Sequence, residues 1–243
     1  MKEQHSLLKE MRSKDKWMLI VLDACRYDLF NYMYPEMNAV ECWSRAYTSD
    51  EWIRKEWGNN GDVTYITSNI FVLEYSDEMD ENVIDVNESK VIRRRKPKTY
   101  TSNINGEGEG FIMSNKHDPI SKTTSDITFE FSKEYINRDK VVIHVMEPHV
   151  PFINGPPYYY KDEHGPHNIL TVYIDNIKYA MDNTYSFIQD VEDSRDVFIT
   201  ADHADCLGED GVYGHDNDHD ALHHVPWVEI DNTDRTDSKL QKI

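Results

Sequence analysis

Val197-Phe198-Ile199-Thr200-Ala201-Asp202-His203 is a short apolar run that ends in an adjacent carboxylate and imidazole. A run of this kind suits a strand buried on both faces, as in a parallel sheet. Two adjacent ionisable groups at a buried strand end are costly without a cation, and Asp and His are common ligands of ions such as zinc and manganese. His215 and His224 follow within one loop of ordinary length.

The same pattern recurs outward from this stretch. Trp17–Leu22 is a continuous apolar run ending at Asp23, so a second buried strand delivers a second carboxylate. Val63–Thr67, Val141–Val145 and Trp227–Ile230 read as further strands. Between them, Leu170, Tyr173, Ile174, Ile177, Met181, Thr184 and Ile188 recur at helical spacing. Asp50–Trp57 and Asp126–Ile136 are weaker helix candidates. Strands alternating with helices predict an α/β fold: a mostly parallel central sheet with helices on both faces, in one domain over residues 1–243. Residues 76–122 are polar, with a basic run at Arg93–Lys98 and a glycine-rich run at Gly106–Gly110, and read as an inserted excursion. The glycine run lacks the lysine and Ser/Thr of a P-loop.

In an open α/β sheet, ligands collect outside the carboxyl ends of the strands. Asp23, the hydroxyls of Thr48 and Ser49, His144 with His149, and Asp202 with His203 all fall at such ends. Each has a plainer structural reading. Asp23 suits a cap for the next helix, Thr48-Ser49-Asp50 suits an N-cap cluster, and His144 suits a satisfied core histidine. His219 and His223 read as ordinary loop residues.

The net charge of −19 opposes binding to nucleic acid or anionic lipid. Three cysteines, Cys25, Cys42 and Cys206, form no C-x-x-C spacing, so a disulfide framework or thiolate cluster is not expected and a reducing compartment is. No apolar run is long enough for a membrane span, and the sequence carries no signal-peptide pattern. The expectation from these features is a cytoplasmic protein.

With these residues in view, the chain resembles the alkaline phosphatase and sulfatase superfamily, particularly its phosphoethanolamine-transferase, lipoteichoic-acid-synthase and archaeal sulfatase-like branches. Thr200–His215, T-A-D-H-A-D-C-L-G-E-D-G-V-Y-G-H, is similar to their S-D-H-G-E-S-L-G-E-x-G-x-Y-x-H, and V-P-W at Val225–Trp227 to their V-P. V-L-D-A-C-R-Y-D at Val21–Asp28 resembles the first metal-ligand segment. The resemblance implies a divalent ion, zinc or manganese ahead of calcium, held by Asp23, Asp202, His203 and the nucleophile, with a second ion undecided. It implies substrate contacts from His144, His149 and His215, and Arg26 joins them. T-S-D at Thr48–Asp50 resembles the transferases' nucleophile segment and selects Thr48, the favoured residue; aligning the following E-W with the archaeal T-P-E-W pattern selects Ser49 instead. The formylglycine signature C-x-P-S-R is absent, and Ala204-Asp205 stands where Gly-Glu is common. The implied activity is hydrolysis or transfer of phosphate or sulfate esters of small molecules or glycans, through a covalent Thr or Ser ester with His149 and His215 assisting; the alternatives are a non-catalytic binding or structural protein that keeps the fold and the ion, and a metal-dependent phosphodiesterase or nuclease, which the net charge of −19 disfavours. The missing membrane helices favour hydrolysis over transfer from a lipid-linked donor.

Overall fold

The computed structural model describes residues 1–58, 61–75, 82–88, 123–153, 165–191 and 195–230. Eight strands form one sheet: β1 (Lys2–Glu3), β2 (Trp17–Leu22), β3 (Val40–Trp43), β4 (Thr64–Thr67), β5 (Asn82–Asp85), β6 (Lys140–Val145), β7 (Asp196–Thr200) and β10 (His224–Ile230). Their order is β1-β3-β10-β7-β2-β6-β4-β5. Only β10 runs against the others, pairing antiparallel with both β3 and β7. A two-stranded ribbon, β8 (Cys206–Leu207) with β9 (Tyr213–Gly214), lies in the loop after β7.

The centre of the sheet is built from the most apolar runs of the sequence. All six residues of β2 are buried, as are five of six in β6, so both faces of the sheet are covered. Strands β2 and β6 pair in parallel from Trp17↔Lys140 to Leu22↔Val145, and β2 pairs β7 from Trp17↔Asp196 to Val21↔Thr200. With no slip in register, Asp23 and Asp202 leave the sheet at adjacent strand ends. The helices are α1 (Gln4–Arg12), α2 (Tyr27–Met33), α3 (Ser49–Glu56), α4 (Ile70–Glu74), α5 (Ser125–Ser132) and α6 (Gly165–Gln189). The helical spacing over 170–188 belongs to α6, and the 126–136 candidate is helical only as far as Ser132.

Three features depart from the sequence reading. The stretch read as an excursion contains β5, which pairs parallel with β4 and ends the sheet, followed by a 3-10 turn at Val86–Glu88, and residues 76–81 and 89–122, with the basic and glycine-rich runs, lie outside the described residues. The charged N-terminus forms β1 and α1, and α1 buries Leu7, Leu8 and Met11 on one face. Strand β3, with only Cys42 buried, carries too little apolar signal to be seen in sequence.

Helix α1 is joined to the site-bearing edge by one buried side chain. Gln4 Nε2 donates to Thr200 Oγ1 at 2.8 Å and to the Ala201 carbonyl at 2.6 Å, while Trp52 Nε1 donates to Gln4 Oε1 at 2.9 Å. All four residues are buried. Gln4→Ala would leave the Trp52 indole N–H and the Ala201 carbonyl without these partners, and buried groups left so cost about 1–3 kcal/mol each. The variant should lose about 2–4 kcal/mol of unfolding free energy in urea titration. A loss below about 0.5 kcal/mol would show that the link is dispensable.

Candidate active site and metal centre

Four neighbouring strands, β7, β2, β6 and β4, deliver the polar cluster at their carboxyl ends. Asp23 follows β2, Asp202 and His203 follow β7, His144 lies near the end of β6, and Asn69 follows β4. Exposure is 1% for Asp23 and Asn69 and 0% for Asp202, His203 and His144, so the cluster is inside the protein.

Each carboxylate is aimed by its partners. Asp202 Oδ1 accepts the backbone N–H of Ala24 at 3.0 Å and of His203 at 2.9 Å, which leaves Oδ2 facing Ser49. Ala24, directly after Asp23, has a positive φ of 61°, a conformation that costs an alanine about 1–2 kcal/mol. Tyr173 of α6 holds this turn, donating through its hydroxyl to the Ala24 carbonyl and accepting the Arg26 N–H at 3.0 Å. The Asp23 carbonyl accepts the His149 N–H at 3.1 Å. Asp23 therefore points into the cluster and caps no helix; Arg26 is the N-cap residue of α2.

The two hydroxyls of the T-S-D segment have different environments. Thr48 is the N-cap of α3: its Oγ1 accepts the Glu51 N–H at 3.4 Å and donates to Asp50 Oδ1 at 2.5 Å. The Glu51 carboxylate reaches back to the Tyr47 N–H at 3.1 Å, as in a capping box. Ser49, the first helical residue, turns inward. Its Oγ donates to Asp202 Oδ2 at 2.7 Å and lies 3.4 Å from Asp23 Oδ2. Asn69 completes this contact, with Nδ2 at 2.6 Å from Asp23 Oδ2 and 3.0 Å from Ser49 Oγ. Its Oδ1 caps α4 through the Phe71 and Val72 N–H groups, which fixes the amide with nitrogen toward the cluster. Asn69 was missed in the sequence; an Asn after a strand and before the apolar Ile70–Leu73 is a cap signal at the functional sheet edge.

His203 has the geometry of a ligand. Its Nδ1 is 2.9 Å from the Ala204 carbonyl, which only accepts, so Nδ1 carries the proton and Nε2 the lone pair. Nε2 is buried with no hydrogen-bond partner, 3.5 Å from Asp202 Oδ2 and 3.7 Å from Asp23 Oδ1. These gaps exceed an N–H···O bond of about 2.7–3.2 Å. They approach the roughly 3.4 Å between donors that each lie about 2.0–2.1 Å from a tetrahedral zinc ion. Burial lowers the His203 pKa against the pull of Asp202, which keeps the ring neutral. Asp23, Asp202 and His203 thus fit a divalent cation: two carboxylates and one unprotonated imidazole, with donor atoms within 4.8 Å of one another.

A second group, His203, Asp205 and His215, meets the same distance limit. Asp205 Oδ1 is 2.6 Å from His215 Nδ1. Burial would raise the Asp205 pKa, but His215 brings it down to about 2, and Asp205 raises that of His215 despite its burial. The His215 ring lies 4.4 Å from that of His203 and 5.1 Å from that of His149. Arg26 sits nearby but is engaged, paired with Asp28 at 2.8 Å and with Glu209 at 2.5 Å. His224 pairs with Glu41 and Asp220, and His223 stacks on Trp43 at 4.4 Å. His219 caps a 3-10 turn.

No protein-family model matches the sequence, and no curated protein matches it. Solved structures do. The integral membrane lipooligosaccharide phosphoethanolamine transferase A of Neisseria meningitidis matches with a TM-score of 0.58 at 13% identity, over 90% of this chain and 48% of that one. The zinc complex of the C-terminal periplasmic domain of EptC from Escherichia coli matches with a TM-score of 0.58 at 9% identity, over 95% of this chain and 76% of that one. A putative sulfatase from Bacteroides thetaiotaomicron matches with a TM-score of 0.54 at 9% identity, over 90% and 65% respectively. The chain therefore spans about half of the intact membrane transferase. These neighbours overturn the cytoplasmic expectation, because the fold is carried there by a periplasmic domain and a membrane-anchored enzyme. Among the described residues no helix is long and apolar enough to cross a membrane, a feature that does not assign a compartment. The three cysteines are free and buried. The chain shares the fold of these phosphoethanolamine transferases and sulfatase, and its carboxylate, imidazole and serine cluster lies at the carboxyl ends of its central strands.

Proposed function

We propose that the protein is a metal-dependent enzyme that cleaves or transfers phosphate or sulfate esters of small molecules or glycans, with Ser49 as nucleophile. The observation that carries this reading is the position of Ser49 Oγ, 2.7 Å from Asp202 Oδ2 and 3.4 Å from Asp23 Oδ2, at the start of α3. The fold neighbours add support, being phosphoethanolamine transferases and a sulfatase. Because Thr48 is engaged in capping, Ser49 is preferred to the residue favoured by the sequence.

Asp23, Asp202 and His203 would hold the ion, which when bound supplies Lewis acidity that lowers the serine pKa and offsets anionic charge. Zinc is the preferred ion, since an imidazole ligand suits it better than calcium. Ser49 Oγ, held by Asp202 Oδ2 at 2.7 Å and with its proton released to solvent water under the lowered pKa, attacks phosphorus or sulfur as the ester bond to the leaving alcohol breaks. Asn69 Nδ2, beside the attacking oxygen, donates to a non-bridging oxygen of the substrate. The positive end of α3 favours the anion at the same point. His215, oriented by Asp205 and packed against His149, protonates the leaving alcohol. Water or an acceptor alcohol then takes the group from the Ser49 ester, which regenerates the serine hydroxyl.

Ser49→Ala should leave the fold intact and lower kcat on aryl phosphate, phosphodiester or sulfate esters by about 10³-fold or more. Thr48→Ala should cost about 1 kcal/mol of stability through the lost cap and change kcat by less than about tenfold. The reverse order would make Thr48 the nucleophile, and no effect of either variant on any ester would remove covalent catalysis from the account.

Asp202→Asn and His203→Ala should each lose most of the zinc found with the purified protein, measured by elemental analysis against the wild type. Unchanged stoichiometry in both variants would rule out this metal site.

A further inference from the structure

His144 is paired with His149 in the sequence reading, as one of two histidines near the transferred group. Its surroundings give it a different position. It lies in β6, as the sequence reading has it, while His149 falls in the loop beyond; it is in register with Val21 of β2 and Thr67 of β4, and is wholly buried. The Trp52 and Tyr65 rings each meet its own edge-on, with centroids 6.1 Å away.

The two ring nitrogens are used differently. Nδ1 is 2.9 Å from the Tyr65 hydroxyl. Nε2 has no hydrogen-bond partner and lies 3.6 Å from Asp202 Oδ2 and 3.7 Å from Asp23 Oδ2. Both gaps are too long for a hydrogen bond. Both are close to the spacing of two donors around a shared ion, roughly 3.4 Å at tetrahedral angles and wider as the angle opens. His203 shows the same arrangement toward the same two carboxylates, at 3.5 and 3.7 Å, with its own Nδ1 anchored on an oxygen. Two imidazoles thus approach one carboxylate pair, each tethered through Nδ1 and open at Nε2.

We propose that His144 Nε2 is a fourth protein ligand of the divalent ion held by Asp23, Asp202 and His203, and that the Tyr65 hydroxyl accepts the Nδ1–H and so fixes the ligand tautomer. The proposal rests on the metal centre described under Proposed function and extends it. A ring set in a strand and packed between aromatic side chains is a rigid ligand, in contrast to the loop that carries Asp202 and His203.

Cadmium NMR on the full chain, with isotope-labelled histidine, tests this without relying on turnover. Scalar coupling to cadmium is expected at Nε2 of two rings, one identified as His144 by its ring-proton contact with Tyr65 and the other as His203. Tyr65→Phe should weaken zinc affinity about 10–100-fold, as loss of a group orienting a ligand does, and Tyr65→His is not expected to restore it. Cadmium bound with coupling to His203 and none to the ring that contacts Tyr65 would overturn the proposal while leaving the metal centre standing. Absence of any bound cadmium or zinc in the folded wild type would overturn both.

Discussion

Two buried carboxylates, Asp23 and Asp202, face a single serine hydroxyl inside the protein, and much of the surrounding architecture is arranged to hold them there. Like charges brought together out of water repel and lose hydration. The protein offsets part of this with neutral donors: two backbone N–H groups on Asp202 Oδ1 and the Asn69 amide on Asp23 Oδ2. The Asp202 pKa is lowered against its burial, and the Ser49 hydroxyl and the Ala24 N–H both donate to its carboxylate. Burial meanwhile takes the His144 pKa down to about 4, so that this ring stays neutral at ordinary pH. A cluster of two carboxylates and two neutral imidazoles is missing positive charge, which is the physical case for a cation.

The sheet topology supplies the geometry. Placing β7 beside β2, and β2 beside β6, puts three polar strand ends about one strand spacing apart. The left-handed Ala24 turns the chain away immediately after Asp23, and Tyr173 from α6 stabilises that turn. Helix α6 therefore contributes to the site by holding this turn. Gln4 has a comparable role on the other side, linking α1, the end of β7 and Trp52 of α3.

The central strands were legible in sequence because β2 is apolar throughout and β6 and β7 carry the apolar runs Val141–Ile143 and Val197–Ile199, and Asp23, Asp202 and His203 were legible because charge follows at the ends of β2 and β7. The edges were not, since β1, β3 and β5 are short and largely exposed or half-buried. The choice between Thr48 and Ser49 depends on where a helix begins. Successive helical residues point about 100° apart, so one residue caps the helix and the next faces the site, a difference that composition does not carry. Asn69 was obscured by serving two ends at once, its oxygen on a helix and its nitrogen on Asp23. The family resemblance pairs His144 with His149, yet His144 packs among Trp52 and Tyr65 while His149 packs against His215.

At 9–13% identity to its fold neighbours, the chain shares an architecture more than a sequence, and an architecture alone does not assign a reaction. The account stands on the cation that the buried cluster calls for. Its most direct measurement is an anomalous diffraction map from crystals of the protein grown with zinc. A single strong peak within about 2.0–2.2 Å of Asp23, Asp202 and His203, with Ser49 Oγ turned toward it, is the predicted result. A map with no peak among these residues, at full zinc occupancy elsewhere or at none, would contradict the central claim.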